Sequence, residues 1–521
     1  MSEKRQMARA AGVVGGATLL SRMLGFVRDA VTAWFFGTGM AADAFFVAFR
    51  IPNLLRRLFA EGSLTIAFVP VYTKEMEENG HEGAFALAGA AFRLLALVLA
   101  GVTALGILLS PWIVAVMAPG FGRDPAKLAL TISLTRIVFP YVFFICLVAL
   151  CMGILNAMNH FFAPAVAPAL LSVAMIGAVF CLTPFFDPPV QGLAWGVVLG
   201  GVLQLLLQFP FLRKKGVRLR RGRLLWHPAM SRVLTLMGPA VFGAAVYQVN
   251  IVVGTLLASL LPGGSVSFLY YADRVVQFPL GVFGIALATA TLPSLSRQAA
   301  KGDMEGLADS FSFSMRLVFF ITLPAAVGLI VLREPIVALL FQRGAFNPEA
   351  TRMTADALLY YAMGLWAFSA VRIVVAVYYS LQDTWTPVRA AMISLLANAV
   401  LALALMGPML HGGLALATTL ASILNLAILM GLLRRRLGTM QGHVILASVS
   451  RSLAASAVMG LAIYLGVRQV VPDLHVPFLR LSLGVGGLIL LGVAVFAASA
   501  RVLGMRELSY AFAMVRKRRG K

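Results

Sequence analysis

Residues 94–118 read LLALVLAGVTALGILLSPWIVAVMA, a stretch without a single charge. A helix needs about 20 apolar residues to cross the hydrocarbon core of a bilayer, so this one is long enough. Apolar runs of the same size recur from Ala10 almost to Arg501. Turn residues and charge clusters divide them into about fourteen spans: 10–36, 41–73, 85–118, 127–157, 164–184, 190–212, 229–260, 267–297, 307–333, 352–381, 387–408, 412–433, 447–468 and 479–501. Of the 521 residues, 60% are hydrophobic and 12% charged, and the mean hydropathy is +0.90. Soluble domains lie near half apolar and a quarter charged. The expected fold class is an all-α polytopic membrane protein with no room for a folded soluble domain. Lys4, Arg5 and Arg9 precede the first span, but Arg22 and Arg28 interrupt it and no small-residue cleavage site follows. It reads as an uncleaved span.

The basic residues in loops and at span ends are one-sided. With the N-terminus inside, the inside segments hold 26 of them and the outside segments seven, among them Arg123 and Lys127 around the start of the fourth span. Cytoplasmic loops carry such an excess, so both termini are expected in the cytoplasm. Most of the net charge of +23 is then topology signal. The runs Arg213-Lys214-Lys215 and Arg434-Arg435-Arg436 read as contacts with anionic lipid headgroups, not as a nucleic-acid footprint. Cys146, Cys151 and Cys181 lie inside apolar runs without metal or redox spacing, and read as small buried hydrophobes.

The chain repeats itself once. Phe68-Val69-Pro70-Val71-Tyr72 answers Thr291-Leu292-Pro293-Ser294-Leu295, with Pro70 and Pro293 separated by 223 positions. Asn159-His160-Phe161-Phe162-Ala163-Pro164 answers Gln382-Asp383-Thr384-Trp385-Thr386-Pro387 at the same 223. Gly192-Leu193-Ala194 answers Gly413-Leu414-Ala415, and Leu212-Arg213-Lys214-Lys215 answers Leu433-Arg434-Arg435-Arg436, both at 221. The unit is six spans. Six is even, so the two halves run parallel, which in transporters places a substrate site between them near the midplane. The expected organisation is an N-lobe over 1–216, a C-lobe over 217–438, and a C-terminal span pair with a basic tail over 439–521.

Ten basic residues remain after loops and span ends are counted, and five of them are in the first two spans: Arg22, Arg28, Arg50, Arg56 and Arg57. Each costs at least about 2.5–3.5 kcal/mol to insert, so each should face a cavity or a partner. Arg50, Leu54, Arg57 and Glu61 recur at helical spacing, with Asn53 and Arg56 beside them and Pro52 able to kink the helix. Arg22 and Asp29 are seven apart and share a face. Five arginines against Asp29, Asp43 and Glu61 leave two positive charges over. Asp273-Arg274 lies in the eighth span, and Arg274 follows Arg50 by 224 positions. The surplus points to an anionic ligand, and the planar guanidinium fork suits phosphate. The competing reading is a charge-balanced structural network.

Other chemistry has little support. There is no G-x-x-x-x-G-K-[ST] loop to power the chain with ATP. His81, His160, His227, His411, His443 and His475 all fall in loops or at span ends, and no H-E-x-x-H or G-x-S-x-G occurs. No metal, cofactor or catalytic residue is expected. Any coupling must draw on membrane potential or an ion gradient. A drug exporter for organic cations would want carboxylates and aromatics in its cavity, against which five arginines count. A non-transporting scaffold would depend on its loops, not on those arginines.

Three segments carry a family resemblance. Ser21-Arg22-Met23-Leu24-Gly25-Phe26-Val27-Arg28-Asp29, followed by Ala42-Asp43-Ala44-Phe45-Phe46-Val47-Ala48-Phe49, resembles the MurJ (MviN) family. So do Pro52-Asn53-Leu54-Leu55-Arg56-Arg57-Leu58-Phe59-Ala60-Glu61-Gly62 and Tyr270-Tyr271-Ala272-Asp273-Arg274. The resemblance covers nearly the whole chain. It implies a flippase in the bacterial inner membrane for lipid II, the undecaprenyl-diphosphate-linked disaccharide-pentapeptide precursor of peptidoglycan. It also implies membership of the multidrug/oligosaccharidyl-lipid/polysaccharide exporter superfamily. By motif position, Arg22, Arg28, Arg56 and Arg274 would contact the diphosphate, and Asp43 matches another important position. The last two spans would form a groove for the lipid tail, and cell-wall synthesis proteins become candidate partners. An exporter of another polyprenyl-diphosphate glycan is the nearest alternative. Some relatives have an acidic residue where this chain has Gln277, or a sodium site of acidic and amide residues. Here the matching spans offer Gln248, Asn250, Asn398 and Asn425 but no carboxylate.

Overall fold

The computed structural model describes residues 3–58, 64–217, 225–438, 440–471, 473–474 and 476–510. Glu61 lies outside them. Every regular element among the described residues is a helix. The chain packs as two compact units, Met1–Ser267 and Phe268–Lys521.

The first unit holds α1 (Glu3–Phe36), α2 (Met40–Leu58), α3 (Leu64–Leu108), α4 (Ser110–Met117), α5 (Pro125–Val138), α6 (Tyr141–Ala157), α7 (Phe162–Cys181), α8 (Val190–Lys214) and α9 (Met230–Ser259). It ends in the first turn of α10 (Ser265–Pro279). α3 breaks at Gly80, where φ is 70°; only glycine takes that conformation without steric cost. α5 starts sharply because Asp124 Oδ1 accepts the N–H groups of Ala126 and Lys127 at 3.0 and 3.1 Å, with Pro125 first in the helix. α8 lies close against α7 along Gly192, Gly196 and Gly200, a stripe at intervals of four. A Cβ on Gly196 would stand 2.4 Å from Ala178 Cβ, and one on Gly192 2.7 Å from the Thr183 backbone nitrogen. Small residues allow this approach where no hydrophobic force draws helices together.

The second unit continues α10 through a π-helical turn, Leu280–Ile285, into α11 (Ala286–Ala300) and α12 (Met304–Val331). There follow α13 (Arg333–Phe341), α14 (Pro348–Met363), α15 (Leu365–Ser380), α16 (Trp385–Leu437), α17 (Gly442–Val470) and α18 (Phe478–Val502). One core gathers Phe311, Met315, Val374, Tyr378 and Leu429; there the buried Tyr378 hydroxyl donates to Leu429 O at 2.9 Å. A second gathers Phe320, Met459, Ile463, Leu488 and Phe496, where α17 and α18 meet α12.

Nine helices among the described residues are long and apolar enough to cross a membrane, and the bent pair α14–α15, at 40°, makes a tenth. The chain is a multi-pass membrane protein. Two of the expected spans, 387–408 and 412–433, share α16 on either side of a break at Leu410, where φ is 49°. The expected span 41–73 takes in α2 and the start of α3, and residues 59–63 lie outside the described set. α2 is too charged for the apolar set, since Asp43, Arg50, Arg56 and Arg57 fall within its 19 residues.

The two turns that the sequence pairs at 159–160 and 382–383 have the same backbone. Asn159 and Gln382 are left-handed at φ 57° and 58°. His160 N donates to Leu155 O at 2.8 Å, and Asp383 N to Tyr378 O at 2.9 Å. Their chemistry differs. His160 stacks on Phe211 with ring centroids 4.8 Å apart, and Lys215 Nζ donates to Met158 O at 3.0 Å. Burial, then Lys215 and Lys214, hold the imidazole below its usual pKa. Asp383 instead pairs with Arg436 at 2.5 Å and accepts from the Thr386 N–H and hydroxyl at 2.9 and 2.7 Å. Burial pushes this carboxyl up, but the Thr386 and Arg436 hydrogen bonds outweigh it and hold the pKa low.

Cys146 and Cys151 are buried, but Cys181 is exposed. It ends α7, where with Phe180 it faces out of the packed interior, so the expectation of three buried thiols is corrected at that position.

Candidate functional site

The first turn of α2 carries Asp43, which is 1% exposed. Its carboxylate accepts from Lys127 Nζ at 2.7 Å, Gly264 N at 2.8 Å, Ser267 N at 3.0 Å and Ser267 Oγ at 2.6 Å. Lys127 also lies over the Phe121 ring, 4.1 Å from its centroid. A buried charge is tolerable when paired and hydrogen-bonded, and Asp43 is both. The carboxylate also satisfies N–H groups at the start of α10, which that helix cannot satisfy itself. Sequence reasoning grouped Asp43 with the arginines. In the structure Lys127, which the sequence assigned to an outside segment, stands opposite it.

Farther along α2, Arg50 Nη1 donates to Thr255 Oγ1 of α9, and that hydroxyl donates to Ile251 O at 2.7 Å. Arg56 turns Nε and Nη2 onto Asn53 Oδ1 at 2.9 and 2.7 Å, three residues back on the same helix. Arg57 beside it is half-buried and makes no hydrogen bond or ion pair among the described residues. On α1, Arg28 grips Asp29 Oδ1 through Nε and Nη2 at 3.0 and 2.7 Å, both side chains buried. Asp29 thus meets its neighbour Arg28 as well as lying one heptad from Arg22. Arg22 is exposed and, like Arg57, without such a partner among the described residues.

In the second unit Arg274 is half-buried on α10. Its Nη2 donates to the Tyr270 hydroxyl at 3.0 Å, and the guanidinium lies over that ring at 4.9 Å. Asp273 accepts from Gln277 Nε2. Both pairs span four residues, the distance at which helical side chains face each other. The π-helical turn begins directly after α10; such irregular turns frequently occur at functional sites. Gln248 and Asn398 are buried at 6% and 5% exposure. No group of three His, Cys, Asp or Glu side chains among the described residues stands close enough to hold a metal.

Sequence reasoning missed Lys127, Thr255, Ser267 and Tyr270. Tyr270 was within reach, four residues before Arg274. Thr255 and Ser267 carry no local signal, since their partners lie 205 and 224 residues away.

Apolar helices threaded by arginines and buried carboxylates define a polytopic membrane protein. A family model described as "Lipid II flippase MurJ" matches residues 32–482. A probable lipid II flippase MurJ of Vibrio cholerae serotype O1 is 39% identical over 514 residues, covering 96% of this chain and 97% of that protein. The lipid II flippase MurJ of Burkholderia cenocepacia is 39% identical over 436 residues, 82% and 84% of the two chains. A solved lipid II flippase MurJ in an inward closed conformation superposes with a TM-score of 0.78 at 27% identity, covering 94% of this chain and 98% of that one. An inward-facing multidrug transporter of the MATE family, in the MOP superfamily, gives 0.69 at 16% identity over 83% of this chain and 99% of its own, a likeness of fold. The chain belongs to the MurJ family of lipid II flippases.

Proposed function

We propose that this chain moves lipid II from the cytoplasmic to the periplasmic face of the bacterial inner membrane, as a transporter and not an enzyme. Family membership over nearly the full length carries the reading. On it, fourteen spans form two parallel six-helix lobes, 1–216 and 217–438, with a C-terminal pair and basic tail over 439–521. Both termini lie in the cytoplasm, and the inside loops touch anionic lipids.

Arg22, Arg28, Arg56, Arg274 and Asn53 bind the diphosphate headgroup. Asp29, Asp43, Arg50, Arg57, Glu61 and Asp273 set the charge around it. Two features support this assignment: Asn53 holds the Arg56 fork in one orientation, and Arg22 and Arg57 lack partners among the described residues. A guanidinium fork grips two phosphate oxygens at once. The cycle is alternating access. Headgroup charge offsets the repulsion among arginines and lets the lobes close on the inside; the outside then opens and releases it. The sequence has no nucleotide-binding loop of the G-x-x-x-x-G-K-[ST] type, so any coupling draws on membrane potential or an ion gradient.

Depleting the protein in its host tests the substrate. Lipid II accessible on the outer face should collapse while total lipid II rises. Unchanged accessibility would point to another polyprenyl-diphosphate glycan, to be sought with a binding panel. Arg28→Ala and Arg274→Ala should each abolish complementation at native expression. Normal growth on both would remove the anion site.

A further inference from the structure

Glu507 is a buried carboxylate with no part in the site above. α18 ends at Val502, and Gly504, left-handed at φ 61°, turns the chain back. Met505 N donates to Ala500 O at 3.0 Å and Gly504 N to Arg501 O at 3.1 Å, closing the helix end. Residues 506–510 form a further helical turn, with Met505 and Glu507 only 5% and 4% exposed. Glu507 Oε1 accepts from Arg316 Nη1 of α12 at 3.2 Å and from Ser448 Oγ of α17 at 3.0 Å. One turn away on α12, Phe313 meets Tyr510 edge-on, with centroids 5.2 Å apart. Met505 and Leu508 pack into the cluster of Phe320, Met459 and Phe496.

Apolar contact alone could dock such a segment. A hydrophobic side chain at 507 would fill the place without desolvating a charge, and replacing buried ion pairs that way is often neutral or stabilising. An ion pair adds direction, because it holds only when three elements keep one register: α12, α17 and the turn after α18. α17 and α18 are the two helices that the internal repeat does not account for. They pack on each other, on α12 and on α13, with no counterpart in the first half of the sequence.

We propose that Glu507 is a positioning residue: through Arg316 and Ser448 it clamps the α17–α18 pair to α12, so that the pair and α12 move as one body during transport. The transport part rests on the flippase reading; the docking part does not.

The full-length protein tests both. Met505→Cys in a Cys181→Ser background gives a thiol that is shielded while the segment is docked. Adding Glu507→Ala should raise its rate of maleimide labelling about tenfold, and Glu507→Ala alone should slow lipid II translocation about tenfold. Glu507→Gln, which keeps size and the Ser448 contact, should fall between. Arg316→Glu should behave like Glu507→Ala, and combining it with Glu507→Arg should restore most of both readouts. A chain ending after Tyr510 should transport normally, whereas one ending after Gly504 should not. Glu507→Ala that is labelled and transports at the parental rate overturns the clamp. Faster labelling with unchanged transport also overturns it, because docking then positions nothing. If the unsubstituted chain fails to move lipid II, the flippase reading falls while labelling still decides docking.

Discussion

The two ends of α2 handle charge in different ways. At the first turn, Asp43 is enclosed, accepts four hydrogen bonds and faces one ammonium. At the last turn, Arg56 leans on the amide of Asn53, and Arg57 is half-buried with no partner among the described residues. The first arrangement is complete in itself. In the second a neutral amide orients the Arg56 guanidinium through two hydrogen bonds. Hydrogen bonding and ion pairing are both met at Asp43, whereas the last turn presents two arginines side by side; the first is a structural end, and on the flippase reading the last is a receptive one.

The largest effect should come from unbalancing the closed end. Lys127→Met leaves Asp43 buried and uncompensated, which costs about 3–5 kcal/mol, read as a fall in the thermal midpoint in detergent. Asp43→Asn on top of it should recover part of the loss. If the double variant is no more stable than Lys127→Met, the pair is not what holds this end together. The receptive end should respond in transport more than in stability. Arg56→Ala should slow lipid II translocation about 100-fold and Asn53→Ala about tenfold, the span expected for losing a charged contact and for losing its orientation. Equal losses would mean that Asn53 does more than orient. The smallest effect belongs to a balanced pair at the surface, Asp383–Arg436, because exposed pairs contribute little. The Asp383 carboxyl is held below its ordinary value, so its contribution is complete above the unfolded pKa of about 3.9 and is lost as pH falls through the lower folded value. The stability difference between the parent and Asp383→Asn should therefore be flat near neutral pH and shrink only in strong acid. A difference that persists there would place the benefit elsewhere.

Much of this was legible in the chain itself. The apolar runs are solvent logic, and the paired turns at 159–160 and 382–383 adopt matching left-handed backbones. The arginines of α1 and α2 are visible because they break apolar runs. What could not be read was who faces whom. Lys127 looked like a loop cation until the Asp124 cap and Pro125 started α5 in front of it. Thr255 and Ser267 are ordinary side chains made important by packing. Likewise, Arg22 and Asp29 share a helical face by spacing, yet the guanidinium that grips Asp29 is that of its neighbour Arg28. Periodicity ranks faces; it does not choose between adjacent side chains that can both swing to the same acceptor.

The exposed thiol at the end of α7 has a practical consequence. Cys146 and Cys151 are shut away, leaving Cys181, at the end of a membrane-crossing helix, as the one thiol of the three outside the packed interior. The natural chain thus offers one thiol with which to test sidedness. A membrane-impermeant maleimide given to spheroplasts should tag it if that end of α7 faces the periplasm, and only lysed cells should be tagged if it faces the cytoplasm. The direction of every span then follows by counting, with no residue replaced.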